Sequence, residues 1–144
     1  MKTINEMKLS FESKSINEGF SRVAVASFAS ALDPTLEELN DIKTAVSEAV
    51  TNAIVHGYRE KMGKIYITAS ITDKNIIRIK VRDRGVGIED IEQARQPLFT
   101  TLGGERAGLG FAVMESFTDK VRVRSAPGRG TTVTLEKKIK GKDI

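Results

Sequence analysis

The sequence predicts an α/β (α+β) protein: a two-layer sandwich with a mixed, mostly antiparallel sheet and helices on one face. Apolar and polar residues alternate along 65–72 and again along 77–81, as in strands with one buried face. Other stretches have helical spacing, and the predicted order of elements is βααββαββ. Because only one face of the sheet is apolar, all the helices must pack on that face.

The first strand and the first helix are predicted from spacing and from capping residues. Met7, Leu9 and Phe11 alternate with polar residues, which indicates a short strand at an edge of the sheet. Ser15 is expected to cap the first helix, which ends before the Asp-Pro pair at 33–34. The predicted buried face of this helix consists of Phe20, Val23, Ala24, Ser27, Phe28 and Ala31.

A second, long helix begins with a capping box. The Thr35 hydroxyl accepts from an early backbone amide, and Glu38 reaches back to the Thr35 amide. The helix is predicted to reach His56, where Gly57 ends it. At about 100° per residue, Glu48 and Asn52 fall nearly opposite the apolar stripe, on a face that is either solvated or chemically active. That stripe comprises Leu39, Ile42, Val46, Ala49, Val50 and Ala53.

The second half of the chain contains a hairpin, a loop and a further helix. The hairpin turns at 73–75, and a glycine-punctuated break at 83–88 follows it. A short helical piece is predicted at 88–94 and a mobile loop at 96–107. A third helix runs from near Gly108 to about Phe117, and two strands joined by a turn at 127–130 complete the sheet.

Composition limits the classes of function. The 144 residues predict one domain over 1–144, and 29% charged with 40% apolar residues predicts a soluble globule. No cysteine and one histidine argue against zinc, so a metal should be hard and oxygen-bound. No apolar run approaches membrane-spanning length, which favours a cytoplasmic protein without membrane contact. The net charge of +4 is mild and aromatic residues are few, so direct nucleic-acid binding is not expected.

Three features with different chemistry occur in the same chain. A carboxylate at Asp83, where a strand ends, is suited to an exocyclic amine. The amides at the helix start 108–110 are suited to phosphate, and the Asn52 amide is suited to a hard cation. Each signal is weak alone, but together they indicate a site for magnesium and ATP. The P-loop and protein-kinase motifs are both absent.

The motifs Glu48-x-x-x-Asn52, Asp83-x-Gly85-x-Gly87, Gly108-Leu109-Gly110 and Gly130-Thr131 occur in this order. They resemble the gyrase, Hsp90, histidine-kinase and MutL ATP-binding superfamily, which has the Bergerat fold. The stretches 47–54 and 92–101 are similar to the anti-sigma F family of sporulation regulators, which are serine protein kinases. This resemblance extends over essentially the whole chain.

The resemblance implies roles for individual residues. Asn52 would ligate Mg2+, Asp83 would bind the adenine amine with Thr131 or Thr132, and phosphates would lie at 108–110 under a lid at 96–107. The lid is more glycine-rich than the family pattern at 102–105. The implied nucleotide-binding residues are Asn52, Asp83, Gly85, Gly87, Thr100, Thr101, Arg106, Gly108, Leu109, Gly110, Thr131 and Thr132.

The implied catalytic residue is Glu48, which would take a proton from an attacking hydroxyl. The acceptor implied by the family is a serine of an anti-anti-sigma factor, and the second partner is a sigma factor kept from RNA polymerase. The alternatives are a general-stress anti-sigma B-type kinase, a nucleotide-dependent binding module without catalysis, and a superfamily ATPase. Arg22 is the expected partner contact, a homodimer is expected, and His56 is assigned a structural role.

Overall fold

The computed structural model describes residues 1–59, 61–88 and 106–142, and their elements occur in the predicted order. A 3-10 turn at Ser30–Leu32 follows the first helix, and a π-helical turn at Ala53–Gly57 follows the second. The predicted helical piece at 88–94 and the loop at 96–107 lie mostly outside the described residues. The elements are β1 (Thr3–Glu12), α1 (Ile16–Ala29), α2 (Leu36–Asn52), β2 (Lys64–Thr72), β3 (Ile76–Asp83), α3 (Arg106–Phe117), β4 (Lys120–Ala126) and β5 (Gly130–Lys138).

The five described strands form one sheet in the order β1-β2-β3-β5-β4. All four pairings are antiparallel, so the described sheet is more uniform than the mixed sheet that was predicted. β1 lies at an edge as expected, but it is ten residues long and pairs with β2 from Thr3 to Glu12. Its first four residues are exposed on both sides and do not alternate regularly between apolar and polar, so hydrophobic alternation reveals only its second half.

The core lies between the inward face of the sheet and the three helices. Isoleucines at 65, 67, 77 and 79 are buried there with Val46, Val50 and Met114 from the helices. The opposite face carries exposed basic side chains, among them Arg82 and Arg124. The prediction of a sheet with a single apolar face is therefore confirmed. No helix in the described part of the chain is both long and apolar enough to cross a membrane.

The predicted buried face of α1 is wrong. Ser21, Val25 and Ala29 are fully buried, whereas Phe20 and Val23 are each 57% exposed. Small side chains spaced four residues apart form a shallow ridge that lets α1 pack closely on α2. Ser15 adopts helical dihedral angles and makes no capping hydrogen bond, so the expected N-cap is also absent.

The capping box of α2 is present, and it does more than begin the helix. Glu38 Nα donates to Thr35 Oγ1 at 3.1 Å, and Thr35 Nα donates to Glu38 Oε1 at 2.9 Å. The same carboxylate accepts from the amides of Lys140 (2.7 Å) and Gly141 (3.1 Å). Glu38 therefore joins the start of α2 to the end of the described chain.

Candidate functional site

Glu48 and Asn52 lie one turn apart on α2, on the side that faces α3. Because α2 is packed between α1 and α3, this polar face is partly covered: Asn52 is buried and Glu48 is half-buried. Asn52 is only 8% exposed, and among the described residues neither its Oδ1 nor its Nδ2 has a hydrogen-bond partner. A buried polar group left unpaired costs about 1–3 kcal/mol. The uncompensated carboxamide makes Asn52 a candidate ligand-binding residue.

The second turn of α3 comes directly against this pair. A Cβ atom at Gly110 would lie 3.1 Å from Asn52 Oδ1, 3.2 Å from Asn52 Nδ2 and 3.3 Å from Glu48 Oε2. Glycine therefore allows the beginning of α3 to approach both side chains closely. The amino end of a helix attracts anions, so a phosphate-binding feature meets a carboxamide and a carboxylate here.

Asp83 lies at the end of β3 and is only 4% exposed. The Gly85 amide donates to its Oδ1 at 2.9 Å. Burial raises the pKa of Asp83 to about 6, although hydrogen bonds from the Gly85 and Thr131 amides act in the opposite direction. A buried carboxylate with few donors is suited to accepting hydrogen bonds from a ligand.

Gly85 and Gly87 are required by the packing of the protein itself. A Cβ at Gly85 would collide with the carbonyl oxygen of Gly57, and one at Gly87 with the carbonyl oxygen of Ala126. Gly87 also has a positive φ of 77°, which disfavours other residues. The packing of the protein itself therefore accounts for both glycines.

The two candidate threonines of β5 lie on opposite faces of the sheet. Thr131 is paired with Asp83, and its Oγ1 lies 2.8 Å from Ser125 Oγ. Thr132 is paired with Arg82 on the outer face, so the structure does not bring it to the Asp83 carboxyl. Sequence reasoning missed Ser125, which also accepts from the Ile88 amide at 2.7 Å. Its importance follows from strand register, which the local sequence does not reveal.

Five nucleotide-binding candidates remain, and three of them belong to α3. Arg106, Gly108 and Leu109 lie in the first turn of α3. Thr100 and Thr101 lie outside the described residues. Among the described residues, no group of three His, Cys, Asp or Glu side chains could hold a metal ion. A hard cation here would therefore depend on the unpartnered Asn52 oxygen, a ligand type that suits Mg2+.

Arg22 lies in the same groove as Glu48. The groove has a volume of about 390 Å3 and runs between α1 and α2. Arg22 Nε is 3.6 Å from Glu18 Oε2, and its side chain is 46% exposed. The remaining residues that line the groove are Val23, Asn40, Lys43, Thr44 and Ser47.

A larger groove of about 900 Å3 lies on the outer face of the sheet. Its lining includes the basic residues Lys8, Lys80, Arg82 and Arg124 and the candidate residues Asp83, Thr131 and Thr132, but not Glu48 or Asn52. The larger groove therefore contains the Asp83 end of the candidate site, whereas Glu48 lines the smaller groove.

Comparison with known proteins identifies the class to which this fold and site belong. Residues 15–137 match the family described as "Histidine kinase-like ATPase domain". The match includes Glu48, Asn52, Asp83 and Gly110. It defines an ATP-binding domain of the histidine kinase-like class.

Relatives with similar sequences indicate the family within this class. An anti-sigma F factor of Thermoanaerobacter sp. (strain X514) is 59% identical, over 96% of this chain and 97% of the relative. The anti-sigma F factors of Clostridium acetobutylicum (56%; 94% of each chain) and Bacillus subtilis strain 168 (54%; 94% and 93%) are similarly close. The chain therefore belongs to the anti-sigma F factor family.

Solved structures with the same fold are more distant in sequence. The RsbU and RsbW domains of a Mycobacterium tuberculosis protein match with a TM-score of 0.67 and 21% identity. That match covers 94% of this chain and 32% of the longer one. ShkA in complex with AMPPNP matches with a TM-score of 0.56 and 23% identity, over 85% of this chain and 30% of the other. These likenesses concern the fold, and they agree with the predicted Bergerat-type class.

Proposed function

We propose that this protein is an anti-sigma factor that binds a sporulation sigma factor, and a serine kinase that phosphorylates an anti-anti-sigma factor with ATP. The observation that carries the proposal is the approach of Glu48, Asn52 and Gly110 to one another. A proton acceptor, an oxygen ligand and a helix amino end are the groups that phosphoryl transfer from ATP requires. The relatives named as anti-sigma F factors supply the expected partner class.

The proposed nucleotide extends from Asp83 to α3. Its adenine amine donates to the Asp83 carboxylate, whose side of the sheet also carries Thr131. Its phosphates lie at the amino end of α3, where backbone amides and the helix dipole favour negative charge. Asn52 would hold Mg2+ through its carboxamide oxygen, and the ion would supply positive charge for the phosphates.

The proposed reaction transfers the γ-phosphoryl group to a serine hydroxyl of the partner. The serine oxygen forms a bond to the γ-phosphorus while the bond to the β–γ bridging oxygen breaks, and ADP leaves. Glu48 accepts the hydroxyl proton, since its carboxylate lies on the α2 face that meets the helix amino end. A serine is favoured over water because the family resemblance implies a serine of an anti-anti-sigma factor as the acceptor.

The proposed acceptor reaches Glu48 through the groove between α1 and α2. Arg22 and Lys43 make part of this groove positive, while Glu48 lies along the same channel. A partner segment anchored by Arg22 would thus be guided toward the base. Arg22 is accordingly proposed as a contact for both partner proteins.

We also infer the assembly and location of the protein. Residues 1–144 form a single domain, and the free edge of β1 provides backbone donors and acceptors for a homodimer. A sigma factor acts with RNA polymerase, so the protein works in the cytoplasm. Sedimentation of the protein alone and with sigma factor, in ATP and in ADP, tests the dimer and its nucleotide dependence.

Labelling with γ-labelled ATP tests the kinase. A candidate anti-anti-sigma factor should be labelled on serine by the wild type, and Glu48→Gln should abolish labelling while ATP still binds. Glu37→Gln, which changes an acid in the first turn of the same helix, is the matched control. Labelling that persists in Glu48→Gln would remove Glu48 as the base. ATP turnover without any acceptor would instead favour an ATPase.

A binding experiment tests the anti-sigma assignment independently of catalysis. Pull-down with this protein in the presence of ATP should retain the sporulation sigma factor. Retention of a general-stress sigma factor instead would favour the anti-sigma B-type alternative. Sigma binding without detectable phosphotransfer would reduce the protein to a nucleotide-dependent binding module.

A further inference from the structure

The end of α2 is not a regular α-helix. Residues Ala53–Gly57 form a π-helical turn, and the Tyr58 amide donates to the Ala53 carbonyl at 3.0 Å, an i→i+5 bond. A continuous α-helix had been predicted to His56. Five residues of α-helix would turn Gly57 about 140° away from Asn52. The wider π turn changes this angle, and such turns occur frequently at functional sites.

The π turn brings Gly57 against the carboxyl group of Asp83. A Cβ at Gly57 would lie 2.7 Å from Asp83 Cγ, 2.7 Å from Oδ2 and 2.8 Å from Oδ1. Real Cβ atoms essentially never lie within 3.0 Å of another heavy atom. Any other residue at 57 would therefore force the carboxyl group to rotate. The absence of a side chain at Gly57 permits the observed orientation of Asp83.

The same turn holds the backbone on the far side of Asp83. The Gly57 carbonyl accepts from the Val86 amide at 2.9 Å. The Tyr58 hydroxyl accepts from the Arg84 amide at 2.8 Å and donates to the Lys64 carbonyl. The orientation of the Asp83 side chain is thus restricted by the close approach of Gly57. Two further hydrogen bonds, to the amides of Arg84 and Val86, fix the backbone that follows Asp83.

We propose that Gly57 and Tyr58 are positioning residues that determine recognition of the purine 6-amino group. They keep one oxygen of Asp83 on the Gly85 amide and leave the other oriented to accept from the base. Asn52 and Gly57 belong to one continuous helical segment, so the segment that carries the metal ligand also orients the base-reading group. This inference rests on the proposed function, because it requires that ATP bind with its adenine at Asp83.

The experiment compares two nucleotides that differ at the base. ATP carries the 6-amino group, and purine riboside triphosphate lacks it. The wild type should prefer ATP by about tenfold or more, since only ATP can donate a hydrogen bond from the base to the Asp83 carboxylate. Gly57→Ala should reduce this ratio to near one by weakening ATP alone. Gly19→Ala is the matched control, because nothing lies within 4 Å of the Cβ it would add.

Two further variants separate positioning from folding. In an Asp83→Asn background, adding Gly57→Ala should change the ratio no further, because Gly57 acts through the carboxyl group. Tyr58→Phe removes one hydroxyl only and should lower the ratio severalfold. If Gly57→Ala does not fold by circular dichroism, Tyr58→Phe decides the question, and an unchanged ratio there overturns the inference.

The outcomes are distinguishable from a failure of the proposed function. If the wild type binds both nucleotides equally, Asp83 does not read the amine, and both proposals fail at that point. If the wild type discriminates and folded Gly57→Ala discriminates equally well, only the inference fails. Equal weakening of both nucleotides by Gly57→Ala assigns Gly57 a merely structural role and also overturns it.

Discussion

Gly110 of α3 lies directly against Asn52 of α2, so closely that an added Cβ would be 3.1 Å from Asn52 Oδ1. The pair joins two elements that are far apart in the chain and have different properties. One supplies backbone amides and the positive end of a helix dipole, and the other supplies a buried carboxamide without a partner. Mg-ATP, the proposed ligand, would supply negative charge to the helix end and a cation to the carboxamide oxygen.

Replacing Gly110 with alanine tests this relationship. Gly110→Ala should weaken binding of Mg-ATP by about tenfold or more, because small displacements of binding groups have large effects. Its unfolding free energy should change by about 1 kcal/mol or less, since alanine favours helix. Calorimetric titration with Mg-ATP and urea denaturation provide the two measurements. Gly19→Ala makes the same exchange in open space in α1, and undiminished Mg-ATP affinity in Gly110→Ala would contradict the expectation.

The buried carboxyl group of Asp83 is expected to lower the stability of the fold at neutral pH, where the proposed function needs it ionised. Burial raises its pKa from 3.8 to about 6, so its stabilising contribution is complete below pH 4 and is lost as pH rises through 6. Ionisation then costs up to about 3 kcal/mol at neutral pH. Asp83→Asn should therefore be more stable than the wild type at pH 7.5, with a gap that closes toward pH 4. Urea denaturation at both pH values measures the gap, and a gap that does not vary with pH would refute this account.

The Glu38 carboxylate predicts the opposite dependence on pH. Burial opposes its ionisation, but hydrogen bonds from the Thr35, Lys140 and Gly141 amides outweigh burial and lower its pKa. Its contribution is therefore present above pH 4.5 and is lost as pH falls through the lowered pKa. Glu38→Gln should cost about 1–3 kcal/mol at pH 7, because an amide group cannot accept all three bonds. The cost should shrink in acid.

Denaturation of two companion variants isolates the Glu38 effect. Thr35→Ala removes one capping bond and should cost about 1 kcal/mol without affecting phosphotransfer. Glu37→Gln changes an exposed acid in the same turn and should be nearly neutral. If Glu37→Gln and Glu38→Gln were equally destabilising, general charge near the helix start would explain the result, and the contacts with residues 140–141 would not.

The features that the sequence predicted correctly are local or periodic. The capping box lies within four residues, and the hairpin alternates with a period of two, so each can be read without its tertiary partners. The four motifs of the site also identify the nucleotide-binding class because they recur in order. Asn52 and Gly110, which belong to two of these motifs, lie together in the structure.

The features that were missed depend on contacts between distant segments. The sequence of residues 53–57 does not predict a π turn. The turn is supported by contacts of Gly57 with Asp83 and Val86, which are distant in the chain. The face of α1 was misassigned because hydrophobicity favours Phe20, while close packing on α2 favours small residues. Ser125 lies beside Thr131 only because of the register in which β4 pairs with β5, and local sequence does not reveal this register.

The last prediction concerns the groove that Arg22 shares with Glu48. Arg22→Glu should weaken binding of the sigma factor and of the anti-anti-sigma factor by about tenfold or more, since rim charges set complementarity. Its melting temperature should hardly change, because the exposed ion pair with Glu18 contributes about 1 kcal/mol or less. Arg122→Glu makes the same change of charge on the outer face of the sheet and is the control for net charge.

The pattern of losses decides what Arg22 does. Weaker partner binding in Arg22→Glu alone, with ATP affinity unchanged, locates the partner surface in the groove between α1 and α2. Equal losses in Arg22→Glu and Arg122→Glu would show that partners respond to overall charge. A large drop in melting temperature for Arg22→Glu would mean that the salt bridge at 3.6 Å supports the packing of α1. The groove would then be part of the packing between α1 and α2 and not a partner surface. The acceptor serine would have to approach Glu48 from another direction.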